Sequence, residues 1–265
     1  MDERSDTKQP RAAFGPLVPM VCAGTLAMAL APQQFVGRLQ GDSIGIALVV
    51  VLLIVCLGVH EAAHAWMALK CGDSTARDLG RLTLNPIAHI DLFMTIILPT
   101  ILLITIGFPF GGAKPVPVDF HRLRNPWRDM SLVAFAGPFS NFLLAILFTV
   151  LWKLLVTYGF YNDAADSPYA RRADRLPTVI EATIYLNAVL AVFNMVPIPP
   201  LDGSRIMAWI LPASLRPGYV ALERFGLMII VLLIWGVPGF QSYLHRWIAY
   251  VVVAVREISS LGGMW

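Results

Sequence analysis

The chain has 265 residues, of which 57% are hydrophobic and only 14% charged, with a formal net charge of +3. Soluble domains average roughly 45 to 50% apolar and about 25% charged residues, so a water-exposed globule could not hide this much apolar surface. The basic residues are dispersed among acidic ones without a long Lys/Arg run, which excludes a nucleic-acid footprint and leaves the lipid bilayer as the natural solvent.

Residues 1–13 are polar and read as a disordered cytoplasmic tail, ahead of a single membrane-embedded domain over 14–265. A first span is expected from about Leu17 to Phe35; no small-residue cleavage site follows it, so it reads as a retained helix rather than a signal peptide. A second span is expected from about Ile44 to Leu69. Arg4, Lys8 and Arg11 precede the first span and only Arg38 separates the two, which puts the N-terminus in the cytoplasm and brings the second span out on the inside at Lys70.

A polar connection over 70–91 leads to a third apolar block, 92–110, interrupted by Pro99. Next comes Ala113-Lys-Pro-Val-Pro-Val-Asp119, whose two prolines forbid a helix and suit an extended edge strand. His121, Arg122, Arg124 and Arg128 then mark a cytoplasmic stretch before a fourth block, about Leu132 to Tyr158. A fifth covers about Thr178 to Val196 and breaks at Val196-Pro-Ile-Pro-Pro-Leu-Asp-Gly203; a short apolar piece follows, ending near Leu211. A sixth covers about Tyr219 to Val237, and a last one, Tyr243 to Val255, is short and either crosses or lies in the interface. The fold class is therefore all-α and polytopic, with about six transmembrane helices and a re-entrant strand or loop insertion.

Within the second span stands His60-Glu61-Ala62-Ala63-His64. On a helix the i, i+4 spacing places both imidazoles on one face, where two nitrogens can hold one zinc ion, and Glu61 lies beside it as a general base for an attacking water. A chance cluster on a packing helix is the bland alternative. Ionisable groups in a span cost about 2.5 to 3.5 kcal/mol each, so three within five residues call for a compensating partner such as a metal. Cys22, Cys56 and Cys71 cannot supply a cysteine-based site; the first two lie in apolar segments.

A catalytic zinc site usually has three protein ligands, so one more must come from elsewhere. Asp202 is the best candidate, since the prolines before it break the fifth block and Gly203 permits an irregular turn; its alternative is a helix N-cap for a segment starting at Ser204. His89, Asp91, Asp119 and His121 are weaker candidates in polar connections, and His245 reads as an interfacial side chain.

Three ordered motifs, His60-Glu-Ala-Ala-His64, Ala136-Gly-Pro-Phe-Ser-Asn141 and Asn194-Met-Val-Pro-Ile-Pro-Pro-Leu-Asp-Gly203, resemble those of the site-2 protease family of intramembrane zinc metalloproteases. Leu84-Asn-Pro-Ile-Ala-His-Ile-Asp91 and Gly112-Ala-Lys-Pro-Val-Pro-Val118 resemble bacterial members, so the likeness covers a core of about 44–212. The resemblance implies one Zn²⁺ per chain on His60, His64 and Asp202, Glu61 as general base, and a membrane-embedded helix of another protein as substrate. Asn141 and Asn194 would then donate to the substrate backbone or the oxyanion, with interhelical hydrogen bonding as their alternative. Lys114, Pro115 and Val116 would present an edge to which unwound substrate adds as a strand. The setting implied is regulated intramembrane proteolysis in a bacterial inner membrane; a catalytically silent helix-binding relative and an ion- or proton-coupled transporter are the rival classes.

Topology adds one condition. Asp202 reaches the depth of the histidines only if residues 92–118 enter and return without a net crossing. Arg171, Arg172 and Arg175 fall in the stretch this scheme places outside, against the positive-inside rule.

Overall fold

The computed structural model describes residues 43–89, 116–158 and 175–260. The expected first span, the third apolar block, Asp91, Lys114 and Pro115 lie outside these residues. The described residues are predominantly helical and contain no strand; Val116 to Asp119 has no regular structure.

Helix α1, Ser43–Lys70, is about 42 Å long at 1.5 Å per residue, enough to cross a hydrocarbon core of about 30 Å. Gly72 ends it in the left-handed region at φ 109°, with Gly72 N–H donating to Leu69 O (3.2 Å) and Asp73 N–H to Ala68 O (2.9 Å). That paired pattern is the Schellman stop, which a glycine without Cβ adopts at low cost. The short α2, Thr75–Asp78, follows, and 3₁₀ turns occupy Pro86–His89 and Phe120–Arg122. Helix α3, Pro126–Thr157, opens on a proline, which sacrifices only an N–H that the first turn leaves free. Helix α4 spans Arg175–Asn194 and α5 Asp202–Ile210; α6 is Arg216–Ala221, followed by a 3₁₀ turn at Leu222–Phe225, then α7, Gly226–Gly236, and α8, Phe240–Ser260.

By length and composition α1, α3 and α4 can cross a membrane. In their most apolar windows 78% of α4 is buried against 22% of α1 and 17% of α3, so α4 is the central helix. Lipid tails are as apolar as leucine, so helices here associate by close packing and interhelical hydrogen bonds rather than by escape from water. The buried faces accordingly carry small residues, Ala62, Ala65 and Ala68 on α1, Ala134, Ala136 and Ala145 on α3, Ala182, Ala188 and Ala191 on α4. Large side chains such as Val51, Leu132, Leu147 and Leu154 face outward.

Side-chain pairing fixes the helix directions. His60 meets Asn141 and His64, one turn later, meets Val133, so α1 and α3 are antiparallel. Asn187 reaches Cys56, while Asp202, beyond the end of α4, reaches His60 and His64, so α4 runs parallel to α1. Helix α8 runs back along α4: Leu244 and Ile248 pack with Leu190 and Phe193, and Arg256 pairs with Glu181 near the start of α4. It is less apolar than the three spanning candidates, yet its 21 residues follow α3 to where Lys153 donates to the Ser259 carbonyl.

One expectation changes. The block from Tyr219 to Val237 is not a continuous span: Arg216–Phe225 and Met228–Ile234 meet at 80°. At the junction a Cβ on Gly226 would lie 2.5 Å from Pro199 O and from Pro200 Cδ, so the backbone turns against the proline loop that leads to Asp202.

Arg124 N–H donates to Cys71 O (3.1 Å) and Asp119 N–H to Asp73 Oδ2 (2.7 Å). The chain therefore leaves α1 and returns to α3 at the same end of the bundle. Single cysteines placed at the exposed Arg77 and Arg122, with the native cysteines replaced, will react with a membrane-impermeant reagent from one and the same side of sealed vesicles; labelling from opposite sides contradicts this arrangement.

Candidate metal centre

His60 and His64 project from one face of α1, one turn apart and buried, with ring centroids 4.6 Å apart and planes at 85°. The His60 and His64 Nε2 atoms are 3.0 Å apart, and Asp202 Oδ2 lies 3.3 Å from the first and 3.4 Å from the second. Among the described residues this is the group of His, Cys, Asp and Glu whose ligand atoms converge as a metal site requires.

The hydrogen bonds around the rings decide what these atoms offer. Val133 O can only accept, so His64 Nδ1 donates to it (2.7 Å) and carries the ring proton. His60 Nδ1 likewise faces Asn141 Oδ1 (2.5 Å). In the neutral rings both Nε2 atoms then present bare lone pairs, and the buried Asp202 Oδ2 has no hydrogen-bond partner. Three lone pairs aimed at one point repel unless a positive charge lies between them. Tetrahedral zinc with bonds near 2.0 to 2.1 Å separates its ligand atoms by about 3.3 Å, so the observed triangle fits that ion. Donation of the remote ring nitrogen to a carbonyl is also how metal-binding histidines are ordinarily oriented.

Asp202 is the first residue of α5, with Leu201 at the N-cap and no side-chain capping bond, so its carboxylate is free of the capping role. Gly203 is not an irregular turn but a close approach: within α5 its Cβ would lie 2.5 Å from Met195 C and 2.7 Å from Val196 O.

Glu61 is buried beside the triangle, and its Oε2 accepts from Val116 N–H (2.8 Å). Val116 stands between two prolines in the sequence, so in 115–117 it alone has an N–H to give. With Asp119 N–H on Asp73, the 116–119 stretch hangs from two carboxylates, one at the site and one at the end of α1.

The other predicted residues separate. Asn141 is fully buried and engaged with His60 and Asn187 rather than turned toward open space. Asn194 is buried and donates to Leu190 O (3.0 Å) within its own helix. His89 donates from Nε2 to Thr83 O (3.0 Å), Asp119 caps the turn at 120–122, and His245 contacts Gln241 O (2.9 Å) on α8. None of these joins the converging group.

The description "Peptidase family M50" matches residues 48–168 and 164–237. The chain belongs to this family. It is similar to "Putative zinc metalloprotease YwhC" of Bacillus subtilis, 40% identical over 184 residues, 69% of this chain and 78% of the relative. It is also similar to "Putative zinc metalloprotease Rip2" of Mycolicibacterium smegmatis, 29% identical over 212 residues, 79% of this chain and 72% of the relative. Rip2 of Mycobacterium tuberculosis strain H37Rv, which carries the same printed description, is 26% identical over 212 residues, 78% and 72% of the respective chains. No solved structure matches the chain. The site-2 protease likeness carried by the three motifs agrees with this family match.

Two residues of the site were not singled out from the sequence. Asn187 has a signal there, a lone amide in an apolar run seven residues before Asn194, on the same helix face. Gly137 has none of its own: a Cβ there would lie 2.5 Å from His64 Cε1 and 2.6 Å from His60 Nε2, so α3 must be bare at that point to leave room at the triangle. Gly137→Ala will lower the zinc retained by purified, folded protein well below wild type, whereas Ala136→Gly will not; full zinc content in Gly137→Ala sinks the close-approach account.

Proposed function

We propose that this M50 chain is an intramembrane zinc metalloendopeptidase that holds one Zn²⁺ with His60, His64 and Asp202 and hydrolyses peptide bonds in transmembrane segments of other proteins. The observation that supports it most is the 3.0 to 3.4 Å triangle of His60 Nε2, His64 Nε2 and Asp202 Oδ2, with both Nδ1 protons already committed elsewhere. When bound, zinc would supply Lewis acidity to a water and to the scissile carbonyl. Glu61 would take the proton from the attacking water and return it to the leaving amine nitrogen, releasing one new carboxyl and one new amino terminus. The Val116 N–H on Oε2 supports this role, because it leaves Oε1 available while holding the carboxylate in place.

The membrane arrangement completes the proposal. We read five crossings, the expected first span, α1, α3, α4 and α8, in place of the six expected, because α8 runs back along α4 and the bent segment between them makes no net crossing. The N-terminus is cytoplasmic and residues 92–118 enter and return, so that chemistry occurs near the cytoplasmic side. The antiparallel α1 and α3, and the Arg124–Cys71 bond that joins their ends, support the absence of a net crossing. Lys114, Pro115 and Val116 would then offer an extended backbone near Glu61 to which an unwound substrate could pair. The bacterial relatives support a bacterial cell membrane as the setting; a role in regulated intramembrane proteolysis completes the proposal and rests on the resemblance of the motifs alone. Asn194 remains the amide we assign to the substrate side, since the His60 and Asn187 contacts occupy Asn141.

Purified protein will carry about one zinc per chain, and His60→Ala and Asp202→Ala will lose it. Glu61→Gln will keep the zinc while cleavage of a transmembrane substrate falls about 10²- to 10⁴-fold, the usual loss for a removed general base. Zinc retained without Asp202 would assign the third ligand wrongly, and undiminished cleavage by Glu61→Gln would end the metalloprotease reading.

A further inference from the structure

His60 and His64 are oriented by different means. His64 donates to a backbone carbonyl, Val133 O, which has only one role to play. His60 donates to a side-chain amide, Asn141, which by a half-turn about its last torsion exchanges its oxygen for its NH₂. Turned that way, Asn141 would donate to His60 Nδ1 and drive the ring proton onto Nε2, the atom that faces His64 and Asp202. Asn141 is fully buried, so no water is at hand to decide the orientation.

The orientation is set from further away. Asn187, also fully buried, donates from Nδ2 to Thr183 O (2.9 Å) and lies 3.2 Å from Cys56 Sγ by the same nitrogen. Thr183 O is an obligate acceptor, so the Asn187 nitrogen must face it and the Asn187 oxygen must face the other way. That oxygen accepts from Asn141 Nδ2 (2.9 Å), which leaves the Asn141 oxygen on His60 Nδ1. Every bond in the series Thr183, Asn187, Asn141, His60 therefore points in one sense, fixed at its far end by a backbone carbonyl of α4.

We propose that Asn187 is a positioning residue for the metal centre, which through the amide of Asn141 holds the His60 proton on Nδ1 and keeps His60 Nε2 free as a ligand. This rests on His60 being a metal ligand, as argued above. It differs from a role as plain interhelical glue, which would stabilise the bundle without affecting which nitrogen of His60 is protonated.

The test uses full-length protein in detergent with two readouts, zinc affinity by competition with a chromophoric chelator and ¹⁵N spectra of the histidine rings in metal-free protein. Asn187→Ala will weaken zinc binding by up to about the 10- to 100-fold that losing the direct partner of a ligand histidine costs, and will shift His60 toward the Nε2–H tautomer. Asn141→Asp in the Asn187→Ala background will restore affinity, because both carboxylate oxygens accept and no half-turn can reverse them. Wild-type affinity and an unchanged tautomer in Asn187→Ala overturn the proposal, as does a double variant no better than the single one. If Asn187→Ala does not fold, Asn187→Asp, which still turns an oxygen to Asn141, is expected to bind zinc close to wild type, and a loss there overturns it. If wild type binds no zinc, the function proposed above fails and the tautomer spectra alone decide: loss of Nδ1–H in Asn187→Ala supports the relay, and its retention overturns it.

Discussion

Lone pairs from two imidazoles and a carboxylate cannot share a few ångströms of apolar interior unless a proton or a metal ion joins them, and much of the bundle is arranged around that condition. In water such groups would separate or take up protons, but inside a bilayer-spanning bundle each polar atom must find a partner in the protein. The His60 and His64 Nδ1 protons have theirs, Asn141 and Asn187 have theirs, and the Glu61 carboxylate has the Val116 N–H. Within this site Asp202 Oδ2 is left over, and it faces the two ring nitrogens that are also left over.

Meeting that condition requires three helices at one depth. Helices α1 and α4 run parallel with α3 antiparallel to both, so the C-terminal half of α1 faces the N-terminal half of α3 and the end of α4. Small residues allow the approach, most sharply at Gly137, where even a methyl group would intrude on the ring nitrogens. The proline loop after α4 then delivers Asp202 as the first residue of α5, packed against Met195 and Val196 through Gly203. The return of the chain from Asp73 to Asp119 and from Cys71 to Arg124 lets α1 and α3 be antiparallel neighbours although some fifty residues separate their facing ends.

Much of this was legible before any coordinates. The His60 to His64 spacing declares its own geometry because a helix puts i and i+4 together, and the spans at α1, α3 and α4 follow from unbroken apolar runs within a few residues of their expected limits. Asp202 was legible only as the acidic residue of a proline-broken segment, since its partners lie some 140 positions earlier. The direction of the Asn141 and Asn187 amides was not legible at all, because a lone asparagine in a span says that it needs a partner without saying which atom meets which. The break in the sixth block was hidden for a related reason: apart from Glu223 and Arg224 its residues are apolar, and the bend falls at Gly226, whose backbone lies against Pro199 and Pro200. Gly137 illustrates the limit, since nothing in a glycine reveals what must pass close to it.

The most direct measurement of the central claim is zinc X-ray absorption on the purified, membrane-extracted protein. Our account predicts a first shell of nitrogen and oxygen atoms near 2.0 to 2.1 Å, with outer-shell scattering from two imidazole rings and no sulfur near 2.3 Å. A sulfur shell, or a third imidazole in place of the carboxylate, would contradict the assignment of His60, His64 and Asp202 as the metal centre.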